Sequence, residues 1–352
     1  LIYLAIGALI AVAVPNPVNG AVAILFIWML DVFFGPGGSG GDTLISRFFP
    51  THFVTLWMVD LPSHHAGRLG DLGISLAWVL GALVVAAIVL TAGARIDRPR
   101  RRSASRFLTA VRFGLVDLRR NPVLLILLVI VPAVFVLMAK ATTPARTLAL
   151  SVSEHGVAHT ESFWFPDVHA GVMTPIAIAS LSALAGLFVV VDSARGDRRL
   201  RLAGFPAHLA VAARLGVVAV AVAVISTATL TVTATVFDAR QWAGYITANL
   251  GLGATYALVG VIIGPLFGRV AGVFIAFLIP FLDSGIAQSP MLRPSPAPAA
   301  HLWPGYGWTR VIFDTALTAD FDQYVPLLIG VAWLVGLGVV AAVTLTRGHS
   351  ST

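Results

Sequence analysis

The feature that most constrains this chain is a series of long apolar runs without charged residues, such as 74–90 and 123–139. An α-helix needs about 20 apolar residues to cross a bilayer, and these runs approach that length. The hydrocarbon offers no hydrogen bonds to the backbone, so a spanning segment is either a helix or part of a closed barrel. Barrel strands alternate apolar and polar residues over short segments, and these runs do not alternate. The runs therefore predict helices.

Composition supports lipid as the surrounding solvent. Of the 352 residues, 58% are hydrophobic and only 11% are charged, whereas soluble domains carry about 25% charged residues. We therefore predict an all-α, polytopic membrane protein with about nine spans. The predicted spans lie near 1–15, 20–35, 73–92, 122–140, 171–191, 212–236, 243–265, 270–287 and 324–345. The first has no basic flank before it, unlike a signal peptide, and we interpret it as a span that begins before residue 1.

Basic residues fall on alternate sides of these spans. Sixteen of the 23 Lys and Arg residues lie in or beside the segments 93–121, 192–211, 266–269 and the C-terminal tail. The positive-inside rule places these segments in the cytoplasm, and the loops 36–72, 141–170 and 288–323 outside. We predict a multi-pass protein of the bacterial inner (plasma) membrane with a cytoplasmic C-terminus. The net charge of +7 lies between spans and not on a soluble face, so nucleic acid is not a predicted partner.

The end of the chain resembles its beginning, which predicts an internal repeat. At offsets of 252 to 255, the matched positions are Tyr3 with Tyr256, Gly7 with Gly260, Asp31 with Asp283, Asp60 with Asp314, and Trp78 with Trp333. The predicted organisation is the last three spans of a first unit (1–93), a basic linker with an interfacial helix (94–121), a complete six-span unit (122–347) and a cytoplasmic tail (348–352). Both units keep the same orientation, as expected for two halves around a pathway.

Two charged segments have patterns beyond those of simple loops. In 105–120, Phe107, Val111, Leu115 and Leu118 share one helical face, which predicts a basic amphipathic helix in the membrane interface. Segment 192–206 predicts a charged hairpin that ends in a Gly-Phe-Pro turn, suited to docking into a groove of a partner protein. The alternatives are a juxtamembrane anchor for the first segment and a topology-setting loop for the second.

The order of these elements resembles the type-two ABC exporter permeases, in the fused double arrangement of tetronasin-type antibiotic exporters. The resemblance implies a permease subunit that moves amphipathic small molecules such as antibiotics outward. A separate cytoplasmic ABC ATPase, acting as a dimer, would bind ATP and Mg and drive transport, so no cofactor is expected in this chain. The implied ATPase-coupling residues are Arg112, Arg119, Arg120, Arg198, Arg199, Arg201, Gly204, Phe205, Pro206, Phe267, Gly268 and Arg269.

Polar residues inside predicted spans are candidates for a transport pathway. They are Ser226, Thr229, Thr233, Asn249 and Tyr256. The alternative is hydrogen bonding between helices, which threonines in membranes commonly provide. The spans show no convincing buried charge, an interpretation that disfavours ion-coupled transport.

Residues for chemistry are not evident in the sequence. The chain has no cysteine, and its one lysine, Lys140, lies outside any phosphate-binding loop motif. The histidines lack the spacing of a metal site. We therefore predict no catalytic residue and no metal site, and classify the chain as not an enzyme. The alternatives left open are an ion-coupled secondary transporter, which would need an intramembrane carboxylate, and a membrane-embedded enzyme, which would need converging catalytic residues.

Overall fold

The computed structural model describes residues 17–34, 122–154, 157–202, 204–290 and 298–347, with isolated positions between 3 and 116 and residue 296. The chain divides into two compact units. The first contains residues 1–102 and 142–144, and the second contains the remainder.

In the first unit, helix α1 (Pro17–Phe34) folds back on the helical positions that precede it. Ile6 and Ile10 are buried, and Ile24 and Ile27 pack against them. The Tyr3 hydroxyl donates a hydrogen bond to Asp31. In a straight helix these two residues would be about 42 Å apart, so the two stretches lie side by side. The predicted span 73–92 falls largely outside the described residues.

The second unit is mostly helical, as predicted, with one β-hairpin. Its elements are α2 (Pro122–Thr142), β1 (Thr147–Glu154), β2 (Val157–Trp164), α3 (Phe165–Leu202), α4 (Ala207–Thr233), α5 (Trp242–Pro280), a π-helical segment (Phe281–Ala287), a 3₁₀ turn (Pro298–Leu302), α6 (Tyr306–Leu317) and α7 (Tyr324–Arg347). Among the described residues, four helices are long and apolar enough to cross a membrane: α3, α4, α5 with its π-helical end, and α7. The count of about nine spans stays a prediction.

Helix α5 is broken at Gly268, where the predicted turn 266–269 lies. Gly268 has φ 67°, a left-handed conformation that side chains disfavour and glycine accepts. Beyond the break the chain runs back along itself, because a Cβ at Gly272 would lie 3.6 Å from Ile263 Cγ2. The Tyr256 hydroxyl also donates to Asp283, 27 residues later. The two arms correspond to the predicted spans 243–265 and 270–287.

Helix α3 is the interior helix of this unit, and α7 is a peripheral one. The apolar window of α3 is 94% buried, whereas that of α7 is 11% buried. Val325, Leu328 and Val335 of α7 are at least 60% exposed, so this helix presents an apolar surface that suits lipid. Helices α3 and α5 approach closely at Gly186 and Gly260, as small residues permit in membranes.

The β-hairpin lies within 141–170, for which the sequence predicted only an external loop. The strands pair antiparallel from Thr147 opposite Trp164 to Glu154 opposite Val157. Leu150 and Val152 are buried. They are alternate residues of β1 and lie on the same face, as expected when one face of a hairpin packs inward. Glu161 of β2 forms an ion pair with Arg240. The hairpin is thereby attached to the connection between α4 and α5.

Candidate functional site

The predicted coupling hairpin is the end of α3 and the turn that follows. Helix α3 contains 38 residues, or about 57 Å of helix, and therefore exceeds the roughly 30 Å of the hydrocarbon. It ends where Gly204 takes φ 76°, and the Phe205 N–H donates to the Leu200 carbonyl at 2.9 Å. Helix α4 then begins at Ala207, directly after Pro206. The predicted Gly-Phe-Pro turn is confirmed.

A buried ion pair joins the two helices of this hairpin. Arg214 of α4 contacts Asp197 of α3 at 2.6 Å between Nη2 and Oδ1, and the two side chains are 13% and 7% exposed. The Arg214 Nε also reaches both carboxylate oxygens, at 3.2 and 3.1 Å. Ser193 donates a further hydrogen bond to Asp197 at 3.2 Å. In the sequence, Arg214 was evident only as part of the positive-inside bias, and this ion pair was not predicted.

The predicted turn at 267–269 is connected to the same hairpin. Arg269 forms an ion pair with Asp192 of α3, and both side chains are about 40% exposed. The predicted turn at 267–269 therefore contacts the same helix that carries the predicted hairpin. The turn also exposes two apolar side chains: Leu266 is 67% exposed and Phe267 is 52% exposed.

The predicted interfacial helix lies against α4 close to this ion pair. Val111 and Leu115 pack on a buried cluster that includes Val217, as the predicted apolar face requires. A Cβ at Gly114 would lie 3.2 Å from Arg214 Nη1, so the helix and the hairpin meet there. Arg112 is exposed.

The remaining coupling residues are placed as follows. Arg119 and Arg120 lie outside the described residues, as do Phe107 and Leu118 of the interfacial face. Arg198 and Arg201 belong to α3, and their side chains are not described; Arg199 and Gly204 are exposed, and Phe205 and Pro206 are half-buried. Leu202, which the resemblance did not assign, is 83% exposed. The tip of the hairpin therefore presents an exposed apolar side chain, one helical turn after the exposed Arg199. We call residues 200–206 the hairpin tip.

The five predicted pathway residues, Ser226, Thr229, Thr233, Asn249 and Tyr256, are fully buried inside the bundle. The Thr229 hydroxyl donates to the Ile225 carbonyl at 2.7 Å. Thr233 hydrogen-bonds to Thr174 of α3 at 2.7 Å. The threonines thus make the contacts expected of the alternative, hydrogen bonding within and between helices.

The interpretation that no span contains a buried charge is wrong. Asp283 has no exposed surface and lies in the π-helical end of a candidate span. It accepts hydrogen bonds from the Tyr256 hydroxyl, the Gln288 amide and the Gly305 N–H, the last at 2.8 Å. In the sequence, Asp283 was evident only as a position matched in the repeat. Its burial results from the packing of Tyr256, Gln288 and Gly305 around it, and the sequence does not reveal this packing.

The same contacts hold the short helix α6 against α5. A Cβ at Gly305 would lie 2.6 Å from Asp283 Oδ2, so glycine is required where α6 begins. Trp308 Nε1 donates to Thr255 Oγ1 at 2.9 Å. With 12 residues, α6 is about 18 Å long and too short to span a bilayer.

Asp314, near the end of α6 and outside the candidate spans, is a perturbed carboxyl group. Burial, and second the negative charge of Asp322, raise its pKa to about 6. The Thr318 hydroxyl donates to Asp314 Oδ1 at 3.2 Å. In the part of the chain that the structure describes, no group of three His, Asp or Glu side chains is placed to hold a metal ion.

These features define a class, the helical integral membrane proteins, since four helices of the described residues are long and apolar enough to cross a membrane. Comparison of the chain with protein-family models, curated proteins and solved structures finds no match.

Proposed function

We propose that this chain is the membrane-spanning permease subunit of an ABC-type exporter, with its hairpin tip docked on a separate cytoplasmic ATPase. The observation that carries the proposal is the hairpin tip itself. It ends a helix too long for the bilayer, exposes Leu202 among arginines, and is fixed to α4 by the buried pair of Arg214 and Asp197. An isolated topology-setting loop would need the arginines but neither the exposed apolar residue nor the buried anchor.

The internal contacts supply a route for mechanical coupling. A displacement of the hairpin tip moves α3, which is continuous from Phe165 to Leu202. The pair of Arg269 and Asp192 would carry the same displacement to the turn of α5. Helices α3 and α5 are packed backbone to backbone at Gly260. They would therefore move together and change the opening between two halves of a pathway.

The second half of that pathway is proposed to be the repeat of which residues 1–93 form the last three spans. In the first unit Tyr3 donates to Asp31, and in the second Tyr256 donates to Asp283. A second pair of contacts also corresponds. A Cβ at Gly20 would lie 3.4 Å from Ile10, and one at Gly272 would lie 3.6 Å from Ile263. These matched contacts support the repeat, because chance similarity of apolar helices does not supply paired hydrogen bonds.

The docking proposal is tested by two matched leucine substitutions. Leu202 and Leu302 are 83% and 77% exposed, but Leu302 lies on the far side of the α5 hairpin from Gly268. The chain would be co-expressed with an ABC ATPase from the same organism and isolated by a tag on the chain. Leu202→Asp should reduce the co-purified ATPase at least about tenfold, a loss of about 1.4 kcal/mol of binding energy. Leu302→Asp should leave it unchanged. Equal recovery with both variants would refute docking at the hairpin tip.

The transport proposal is tested in inside-out vesicles with an amphipathic fluorescent antibiotic. We expect uptake that requires ATP and the ATPase and persists when a protonophore abolishes the proton gradient. The second candidate, an ion-coupled transporter, is favoured by one observation, the buried carboxylate of Asp283. Uptake that needs the proton gradient but no ATP, and that Asp283→Asn abolishes, would replace the exporter proposal with this candidate.

A further inference from the structure

The turn between the two arms of α5 leaves seven consecutive residues exposed, 265–271. Three of them are large and apolar: Leu266, Phe267 and Val270 are 67%, 52% and 65% exposed. We call residues 265–271 the α5 turn. A cluster of exposed apolar side chains marks a contact with another molecule or with a membrane.

The α5 turn lies level with the end of the membrane-crossing part of α3. Arg269 of the turn forms its ion pair with Asp192 of α3. The part of α3 that is apolar enough to cross a membrane ends two residues later, at Ala194. The turn is therefore at the boundary of the bilayer. Leu202 of the hairpin tip lies ten residues beyond Asp192, or about 15 Å further along α3.

The apolar surface of the turn continues along the second arm of α5. Exposed apolar side chains recur there at every fourth residue, which places them on one face of the helix. These side chains are 37% to 65% exposed, and they are Val270, Phe274, Leu278, Leu282 and Ile286. Their stripe is about 24 Å long and belongs to a candidate membrane span. The exposed surface of the turn is thus the end of a surface that suits lipid.

The one charge of the α5 turn is already paired. Arg269 is the only ionisable residue of 265–271, and its partner Asp192 neutralises it. Both side chains are about 40% exposed, as expected for charged groups that stay at the level of the headgroups while apolar neighbours lie deeper. A paired charge beside three apolar side chains fits acyl chains better than an anionic ligand or a charged protein surface.

We propose that the α5 turn is inserted into the lipid leaflet nearer the hairpin tip, with Leu266, Phe267 and Val270 among the acyl chains. Apolar contact holds it there, as it holds interfacial segments of other membrane proteins. A partner protein on the hairpin tip meets Leu202 and not the turn. Phe267, for which the resemblance implied an ATPase contact, is then a lipid contact. The inference does not depend on the proposed exporter function.

Site-specific fluorescence in lipid nanodiscs tests the proposal. The chain has no cysteine, so one introduced cysteine is the only site for a thiol-reactive NBD dye. Leu266→Cys reports on the turn, and Leu202→Cys is the matched control, since Leu202 is 83% exposed on the hairpin tip. In phosphatidylcholine nanodiscs without an ATPase, acyl-brominated lipids should quench the dye at 266 at least about threefold more than the dye at 202, because only an inserted dye contacts bromine. Aqueous iodide should quench the dye at 202 more.

Three outcomes would overturn the proposal. Equal quenching of the two dyes by brominated lipid would place the turn in water. A dye at 266 that iodide quenches until a purified ABC ATPase is added would identify the ATPase as the partner of the turn. Insertion that occurs only after part of the phosphatidylcholine is replaced by phosphatidylglycerol would identify a site for charged headgroups.

A second cysteine site protects the test against a variant that does not fold. Val270→Cys, at the other side of the turn, should give the same quenching pattern as Leu266→Cys. The measurement is also separate from the docking test at Leu202, because it is made without an ATPase. A turn found in water would leave docking at the hairpin tip untouched, and a failure of docking would leave the inserted turn untouched.

Discussion

At the scale of single residues, burial determines how much each ion pair affects the stability of the protein. The carboxylate of Asp197 and the guanidinium of Arg214 are nearly enclosed, whereas Arg269 and Arg240 form their ion pairs in partly exposed positions. Removing one partner of a buried pair leaves an uncompensated charge inside the protein. An exposed pair loses little, because solvent screens both charges.

Asp197→Ala should therefore lower the free energy of unfolding by about 3 kcal/mol. Glu161→Ala, which breaks the exposed pair with Arg240, should lower it by less than about 1 kcal/mol. Denaturant unfolding of the detergent-solubilised protein, followed by tryptophan fluorescence, measures both. Similar losses for the two variants would show that the pair of Asp197 and Arg214 is not buried in solution.

The carboxyl group of Asp314 makes stability depend on pH. Its pKa of about 6 in the folded chain exceeds the unfolded value of 3.8, so the folded state holds this proton more tightly. The contribution of Asp314 to stability is therefore largest below pH 4, and is lost as the pH rises from 4 to 6. Asp314→Asn should remove this pH dependence. Unfolding curves of both proteins between pH 4 and 7 check the prediction, and parallel pH profiles would contradict it.

At the scale of elements, the contact between α3 and α5 determines the packing of the second unit. A Cβ at Gly260 would overlap the carbonyl oxygen of Ala183, and one at Gly186 would overlap that of Ala257. Each helix therefore presents a glycine to the backbone of the other. Such close approach lets dispersion forces act without a hydrophobic driving force, which lipid does not supply.

Gly260→Ala should force the two helices apart and cost about 3 kcal/mol, the upper part of the usual range for overpacking. Gly336→Ala is the matched control, because no atom lies within 4 Å of a Cβ there. It should be neutral or stabilise the protein by about 0.5–1 kcal/mol, as alanine favours the helix over glycine. Thermal melting in the same detergent distinguishes the two. A tolerated Gly260→Ala would contradict the close contact.

At the scale of the whole molecule, the two units share a helical hairpin closed by a tyrosine and an aspartate. Tyr3 donates to Asp31 in the first unit, and Tyr256 donates to Asp283 in the second. If the units are repeats, the two hydrogen bonds have the same role. The loss of either donor should then have a similar effect on its own unit.

Tyr3→Phe and Tyr256→Phe should each lower the free energy of unfolding by about 1–3 kcal/mol, because each leaves a buried carboxylate with one donor fewer. The losses should add in the double variant, since the two hydrogen bonds belong to separate units and share no residue. Tyr324→Phe changes a residue that is 64% exposed and should stay within about 0.5 kcal/mol. A large loss for Tyr256→Phe alone would argue against equivalent units.

Much of the architecture was determined by sequence patterns that act locally. Uninterrupted apolar runs predicted α3, α4 and α7, because hydrogen bonds within a segment and contact with lipid do not require a distant partner. The turn at Gly268 was likewise predicted from the break between two apolar runs, and the apolar face of Val111 and Leu115 from their helical spacing. The β-hairpin was not, because its eight-residue strands become stable only by pairing and by packing of Leu150.

The polar interior was decided by the tertiary structure alone. Ser226 and Asn249 were evident in the sequence as polar residues inside spans, but the approach of Ser182 of α3 to Gly253 of α5 was not. The burial of Asp283 was not evident either. Hydrogen bonds and ion pairs between residues far apart in the chain depend on which helix faces meet, and helices apolar on every side contain no signal for that choice.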